Sequence, residues 1–142
     1  MDYRDFKITR KARCLNFRRC LYVISPAPSE RLQIKAKSFY KIGIAASGLF
    51  NRLNCYGTYW PAGTIIHLVC PILQDRYSDK STIRLVEQYI LDLQDDRQRT
   101  KSKAESFVKL DLEKIRNDLL RHPAVDMVWM VPAKKKIVFK QF

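Results

Sequence analysis

Two strand-like runs follow each other before any helical pattern begins, and this order restricts the fold more than any other feature. The first, "CLYVIS" (Cys20 to Ser25), is β-branched and aromatic and is stopped by "PAP". The second, "SFYKIGIA" (Ser38 to Ala45), follows "PAPSERLQIKAK", a connection long for a hairpin. Adjacent strands argue for an α+β fold, a small mixed or antiparallel sheet flanked by helices. The two runs are expected to pair antiparallel, with Tyr22 near Lys41.

The remaining pattern fills in that frame. "LFNRLNCY" has helical spacing at Leu49, Phe50 and Leu53. "TIIHLVC" (Thr64 to Cys70) reads as a third strand, closed by Pro71. "STIRLVEQYILDLQDD" reads as a helix with Ser81 as its N-cap. A charged loop, the short extended piece "SFVKL" and a helix opened by Asp111 and ended by Pro123 follow. "VDMVWMVPAKKKIVFKQF" reads as a closing β-hairpin, basic at its turn.

With 142 residues the chain is expected to form one domain, residues 20–142, behind a basic lead-in over 1–19. A 46% hydrophobic share is enough for a real core. Lys and Arg number 27 against 14 Asp and Glu, a net charge of +13, so polyanions are the natural partners. DNA comes first, with RNA as the other candidate. The residues expected to touch its backbone are Arg10, Lys11, Arg13, Arg18 and Arg19 in the lead-in, and Lys134, Lys135 and Lys136 near the end. No run of about 18 apolar residues exists to span a membrane. The charged N-terminus lacks an apolar signal core. Cys14, Cys20, Cys55 and Cys70 form no Cys-x-x-Cys pair. Free, buried thiols in an intracellular compartment fit them best, with a zinc site as the alternative. That compartment is the cytoplasm, or the nucleus for a eukaryotic or nuclear-virus protein.

Four places have the residue types for chemistry, and each also has an ordinary explanation. On the helix after Ser81, Ile83, Val86, Ile90 and Leu93 form one stripe, and Glu87 falls inside the apolar arc. Such a carboxylate is half of a buried Glu–Arg pair, a residue at the edge of the arc that reaches out to solvent, or a metal-binding or catalytic acid. Arg52 and Tyr56, four apart, suit a phosphate, or simply stack on a surface. Alternation puts Phe39, Lys41 and Gly43 on one strand face and Tyr40, Ile42 and Ile44 on the other. Gly43 leaves room there for a packed helix or a ligand. Tyr22 on the first strand is either core packing or part of a site.

Taken in order, these residues resemble the GIY-YIG nuclease superfamily. "CLYVI" resembles the first half-motif, with Cys20 and Leu21 where Gly and Ile are usual. "YKIGI" resembles the second, with Lys41 at the second tyrosine's place. Arg52, Tyr56 and Glu87 follow at the family's positions. "KIGIAASGLFNRL" is similar to the phage-type branch, whose Glu-aromatic element "AESFV" (Ala104 to Val108) resembles. The resemblance implies a metal-dependent endonuclease that hydrolyses DNA phosphodiester bonds. Glu87 would hold one Mg²⁺ or Mn²⁺, and Arg52 would stabilise the transition-state charge. Tyr22 or Tyr56 would act as, or position, the general base, and Lys41 would lower the pKa of a neighbouring phenol. The alternative is a basic nucleic-acid-binding module without catalysis. An enzyme requires these side chains to converge on one concave wall. A purely structural role requires Glu87 to be paired internally and Arg52 to point away.

Overall fold

The computed structural model describes residues 15–28, 39–56, 60, 62–72, 80–100, 105–132 and 136–139. Its centre is a sheet of six strands: β1 (Cys20–Pro26), β2 (Tyr40–Ala45), β3 (Thr64–Pro71), β4 (Ser106–Phe107), β5 (Trp129–Met130) and β6 (Ile137–Phe139). Helices α1 (Leu49–Asn54), α2 (Lys80–Asp92) and α3 (Leu112–Leu120) flank it. The order is β4-β2-β1-β3-β5, with β6 also on β3, and every pairing is antiparallel. The expected antiparallel pairing of the first two strands is present.

Strand alternation separates two apolar cores. Leu21 and Val23 of β1 face α2 and α3, packing with Ile42, Ile83, Val86, Ile90, Ile115 and Leu119. Cys20, Tyr22 and Ile24 face the opposite way, toward Leu49 and Leu53 of α1 and Trp60. In β3 the alternation slips once: Val23 pairs with Leu68 but Ile24 with Ile66, so His67 is the extra residue of a β-bulge. Ser25 and His67 hydrogen-bond at 2.7 Å, which satisfies a fully buried hydroxyl.

The short helix α1 owes its start to the lead-in. Gly48 sits at φ 108°, a left-handed value that favours glycine, and has no side chain to cap the helix. Gly48 N–H and Leu49 N–H donate to the carbonyls of Arg18 and Phe17 instead, and Phe50 N–H donates to Asn16 Oδ1 at 2.9 Å. Leu15 is buried beneath them. The described end of the lead-in thus belongs to the packed body.

Four expectations need correction. Among the described residues the C-terminal segment forms no hairpin: β5 and β6 both pair with β3, and not with each other. Leu68 pairs with Met130 and Ile66 with Ile137, so they continue one another along a single edge. The free edge of β3 offers both pieces a ladder, and Pro132, lacking an N–H, interrupts it between them. Ser81 lies inside α2, which starts at Lys80, and is not its N-cap. Leu93 is 44% exposed, because α2 ends at Asp92 and the helical stripe ends with it; Leu91 is buried in its place. Of the cysteines, Cys20 and Cys70 are buried free thiols, but Cys55 is exposed just past the end of α1, and Cys14 lies outside the described residues.

No helix among the described residues is long and apolar enough to cross a membrane.

Candidate functional site

Both layers meet at the outer edge of β2. β4 covers that edge only at Tyr40 and Lys41, and Ile42 N–H donates to Glu105 O at 3.0 Å. Beyond it, Gly43 and Ile44 form the floor of a cleft of about 420 Å³. Tyr22 and Arg52 enter it from one layer, and Arg84, Glu87 and Gln88 of α2 from the other. Lys41 and Glu105 line the end nearest β4.

Tyr22 reaches the cleft across a glycine. It faces Gly43 in the β1–β2 register, and a Cβ on Gly43 would lie 2.5 Å from the Tyr22 hydroxyl oxygen. The space expected for a helix or a ligand is therefore filled by the Tyr22 ring. The Tyr22 and Tyr56 hydroxyls are 3.0 Å apart, and Arg52 Nε–H donates to the Tyr22 oxygen at 3.4 Å. The Arg52 guanidinium also lies over the Tyr56 ring, 5.8 Å from its centroid. Tyr56 in turn stacks on Trp60, with centroids 4.6 Å apart and planes 11° from parallel. Tyr56 lies just beyond the helix, its N–H bonded to Leu53 O, and backs the cleft rather than lining it.

The electrostatics differ from the expectation in one respect. The cation bonded to the Tyr22 phenol is Arg52, whereas Lys41 Nζ sits 3.5 Å from Glu105 Oε2. Lys41 lies two residues along β2 from Gly43, on the side where β4 pairs, which brings it to Glu105. Burial pushes the Tyr22 phenol well above its ordinary value, Tyr56 adds to the rise, and Arg52 opposes it. Tyr22 is therefore a protonated hydrogen-bonding group in the empty cleft.

The helical pattern put Glu87 inside the apolar arc; it is half-buried, whereas Ile83, Val86 and Ile90 of the same helix are fully buried, so it stands at the rim of that face. It makes no hydrogen bond or ion pair among the described residues, so a buried Glu–Arg pair has no counterpart there, while the other ordinary explanation, a carboxylate at the edge reaching toward solvent, agrees with its half-burial. Its carboxyl is pushed from 4.5 to about 7, first by burial and then by the charge of Glu105, against Lys41, Arg84 and Arg52. Among the described residues no three His, Cys, Asp or Glu side chains gather into a ready-made metal cage. His67 and His122 are engaged elsewhere, with Ser25 and with Tyr89.

Four of the five expected site residues, Tyr22, Lys41, Arg52 and Glu87, thus line one cleft, and Tyr56 bonds to one of them. Arg84, Gln88 and Glu105 were not anticipated as site residues. Arg84 lies three residues before Glu87 on the same helix, so helical spacing reaches it, whereas Gln88 is its sequence neighbour, about 100° round the helix, and also lines the cleft. Of the basic residues expected at a nucleic-acid surface, Arg18 is exposed, while Arg19 and Lys136 are half-buried. Arg10, Lys11, Arg13, Lys134 and Lys135 lie outside the described residues. Comparison of the chain with family models, curated proteins and solved structures yields no match.

Proposed function

We propose that the protein is a metal-dependent endonuclease that hydrolyses DNA phosphodiester bonds. The observation that carries this reading is the convergence of Tyr22, Lys41, Arg52 and Glu87, from four separate elements, on one cleft. Side chains kept only for packing have no reason to point at a common space. The net charge of +13 supplies affinity for the backbone.

The donor set fits a hard divalent ion. Mg²⁺ takes oxygen ligands, commonly one or two carboxylates completed by phosphate and water, and needs no all-protein cage. Glu87, unpaired among the described residues, would hold it, with substrate phosphate and water as its further ligands. When bound, such an ion polarises the scissile phosphate and lowers the pKa of water. Glu87 must shed its proton to serve as a ligand, so binding strengthens as pH rises through about 7. Arg52 is placed to meet the negative charge that develops on the phosphoryl oxygens. Tyr22 has no exposed surface and is locked by Gly43, Tyr56 and Arg52, so its hydroxyl would act by positioning Arg52 at the cleft wall, and would reach the attacking water only through a rearrangement that uncovers it.

A second reading, a nucleic-acid-binding module without catalysis, is favoured by the burial that keeps the Tyr22 phenol protonated. Nicking of supercoiled plasmid separates the two. The nuclease reading expects relaxed circles with Mg²⁺ or Mn²⁺ and none in EDTA. Retention of the plasmid without nicking under any divalent ion would leave only the binding module.

A further inference from the structure

The ion pair between Lys41 and Glu105 lies inside the cleft, and its geometry is that of a contact made to be exchanged. The 3.5 Å separation is longer than the ~2.7–2.9 Å of a tight charge-assisted bond. The Glu105 side chain is 43% exposed, against 23% for Lys41, so the carboxylate has open solvent to swing into while the ammonium does not. Its backbone, by contrast, is fixed. The Glu105 carbonyl accepts from Ile42 N–H, Ser106 pairs opposite Lys41, and Phe107 is fully buried. The strand therefore delivers a carboxylate to Lys41 and leaves only its side chain free to move.

The other charges of the cleft point the same way. Arg52 is bonded to the Tyr22 phenol, a neutral partner. Glu87 and Arg84 have no ion pair among the described residues. Lys41 is the cleft cation that already holds an anion.

We propose that Glu105 stands in for the substrate phosphate, holding Lys41 while the cleft is empty and giving it up to an entering phosphodiester. This rests on the reading of the cleft as a phosphodiester site. A phosphodiester carries one negative charge, so it replaces the carboxylate at Lys41 with no net change there. The released carboxylate moves into water.

A double-mutant cycle of DNA binding tests the exchange, and it needs no catalysis. Affinity for a short labelled DNA duplex is measured in EDTA by fluorescence anisotropy. Four full-length proteins are compared: wild type, Glu105→Gln, Lys41→Met and the double variant. Glu105→Gln should bind about two- to fivefold more tightly than wild type, the range of a half-exposed ion pair. In the Lys41→Met background that gain should shrink by at least half, because Glu105 acts through Lys41. Glu105→Asp, which keeps the charge but shortens its reach, should show part of the gain if Glu105→Gln folds poorly. An equal gain in both backgrounds would mean that Glu105 merely repels DNA, and would overturn the inference alone. Unchanged or weaker binding by Glu105→Gln would do the same. Absence of duplex binding by the wild type would remove the phosphodiester reading itself, and the inference with it.

Discussion

Helices α2 and α3 pack on the same face of the sheet, and each turns one carboxylate away from open water. Their surroundings differ. Asp118 of α3 is 6% exposed, yet Lys114 Nζ lies 2.9 Å from one of its oxygens and Arg121 NH1 3.3 Å from the other. Tyr89 OH donates to the Asp118 carbonyl at 3.0 Å, tying the two helices together. Glu87 of α2 is less buried, has no such partner among the described residues, and faces a second carboxylate across a cleft. The more deeply buried acid is thus the ordinary one. Burial of a carboxylate does not mark a functional site; burial without a counter-ion, beside a cavity, does.

This contrast can be broken most severely at Gly43, which belongs to neither helix. Gly43→Val puts side-chain atoms where the Tyr22 ring lies. The phenol must then leave Arg52 and Tyr56. Plasmid nicking should fall by about a hundredfold or more, the cost of misplacing a catalytic group by ~1 Å, while circular dichroism still reports a folded sheet. Full activity in Gly43→Val would show that Tyr22 has no positional role.

The two acids themselves should respond in opposite directions. Asp118→Ala removes an anchor shared by two cations and should cost about 1–3 kcal/mol in urea denaturation. Lys114 and Arg121 are both largely exposed, so neither is stranded, and nicking should stay as in the wild type. Loss of nicking in a folded Asp118→Ala protein would erase the distinction drawn between the helices.

A smaller effect sharpens the contrast through pH. Glu87 titrates near 7 in the folded chain against 4.5 ordinarily. Between those values the folded protein keeps a proton that the unfolded chain has released, so stability falls as pH rises through this window. Glu87→Gln removes that fall. Its stability should match the wild type near pH 4 and exceed it by about 1–2 kcal/mol at pH 8, a figure discounted for the partial exposure of the group. A gain of the same size at both pH values would show that the carboxylate is not the source.

Much of this arrangement was legible in the sequence because it is local. Alternation put Phe39 and Ile42 on opposite faces of the second strand, and they pack in the two different cores. The 100° helical period drew Glu87 onto the apolar side of α2, somewhat deeper than the half-buried position it takes, and Asp111 caps α3 through Lys114 N–H as its type suggests. What the sequence did not reveal is long-range. The edge of β3 took both C-terminal strands, a competition that no pattern within that segment encodes. The partners of Lys41 and Tyr22 were misjudged because adjacency on a strand face does not fix which long side chain reaches which. Arg99, far from α2 in the wheel, closes that helix by donating to Leu91 O at 2.7 Å. Gly43 was noticed as a gap, but only the cross-strand register shows that Tyr22 fills it.

Glu87 has no ion pair among the described residues, and the proposed function requires it to be kept for a divalent ion. The most direct measurement takes wild type and Glu87→Gln side by side, recording Mg²⁺-dependent nicking of supercoiled plasmid and the melting curve of the same samples at pH 8. The variant should lose nicking by orders of magnitude and melt at the same or a higher temperature, since a desolvated charge has been relieved. A variant that melts markedly lower, beside a wild type with no metal-dependent nicking to lose, would contradict that role and return Glu87 to the same class as Asp118.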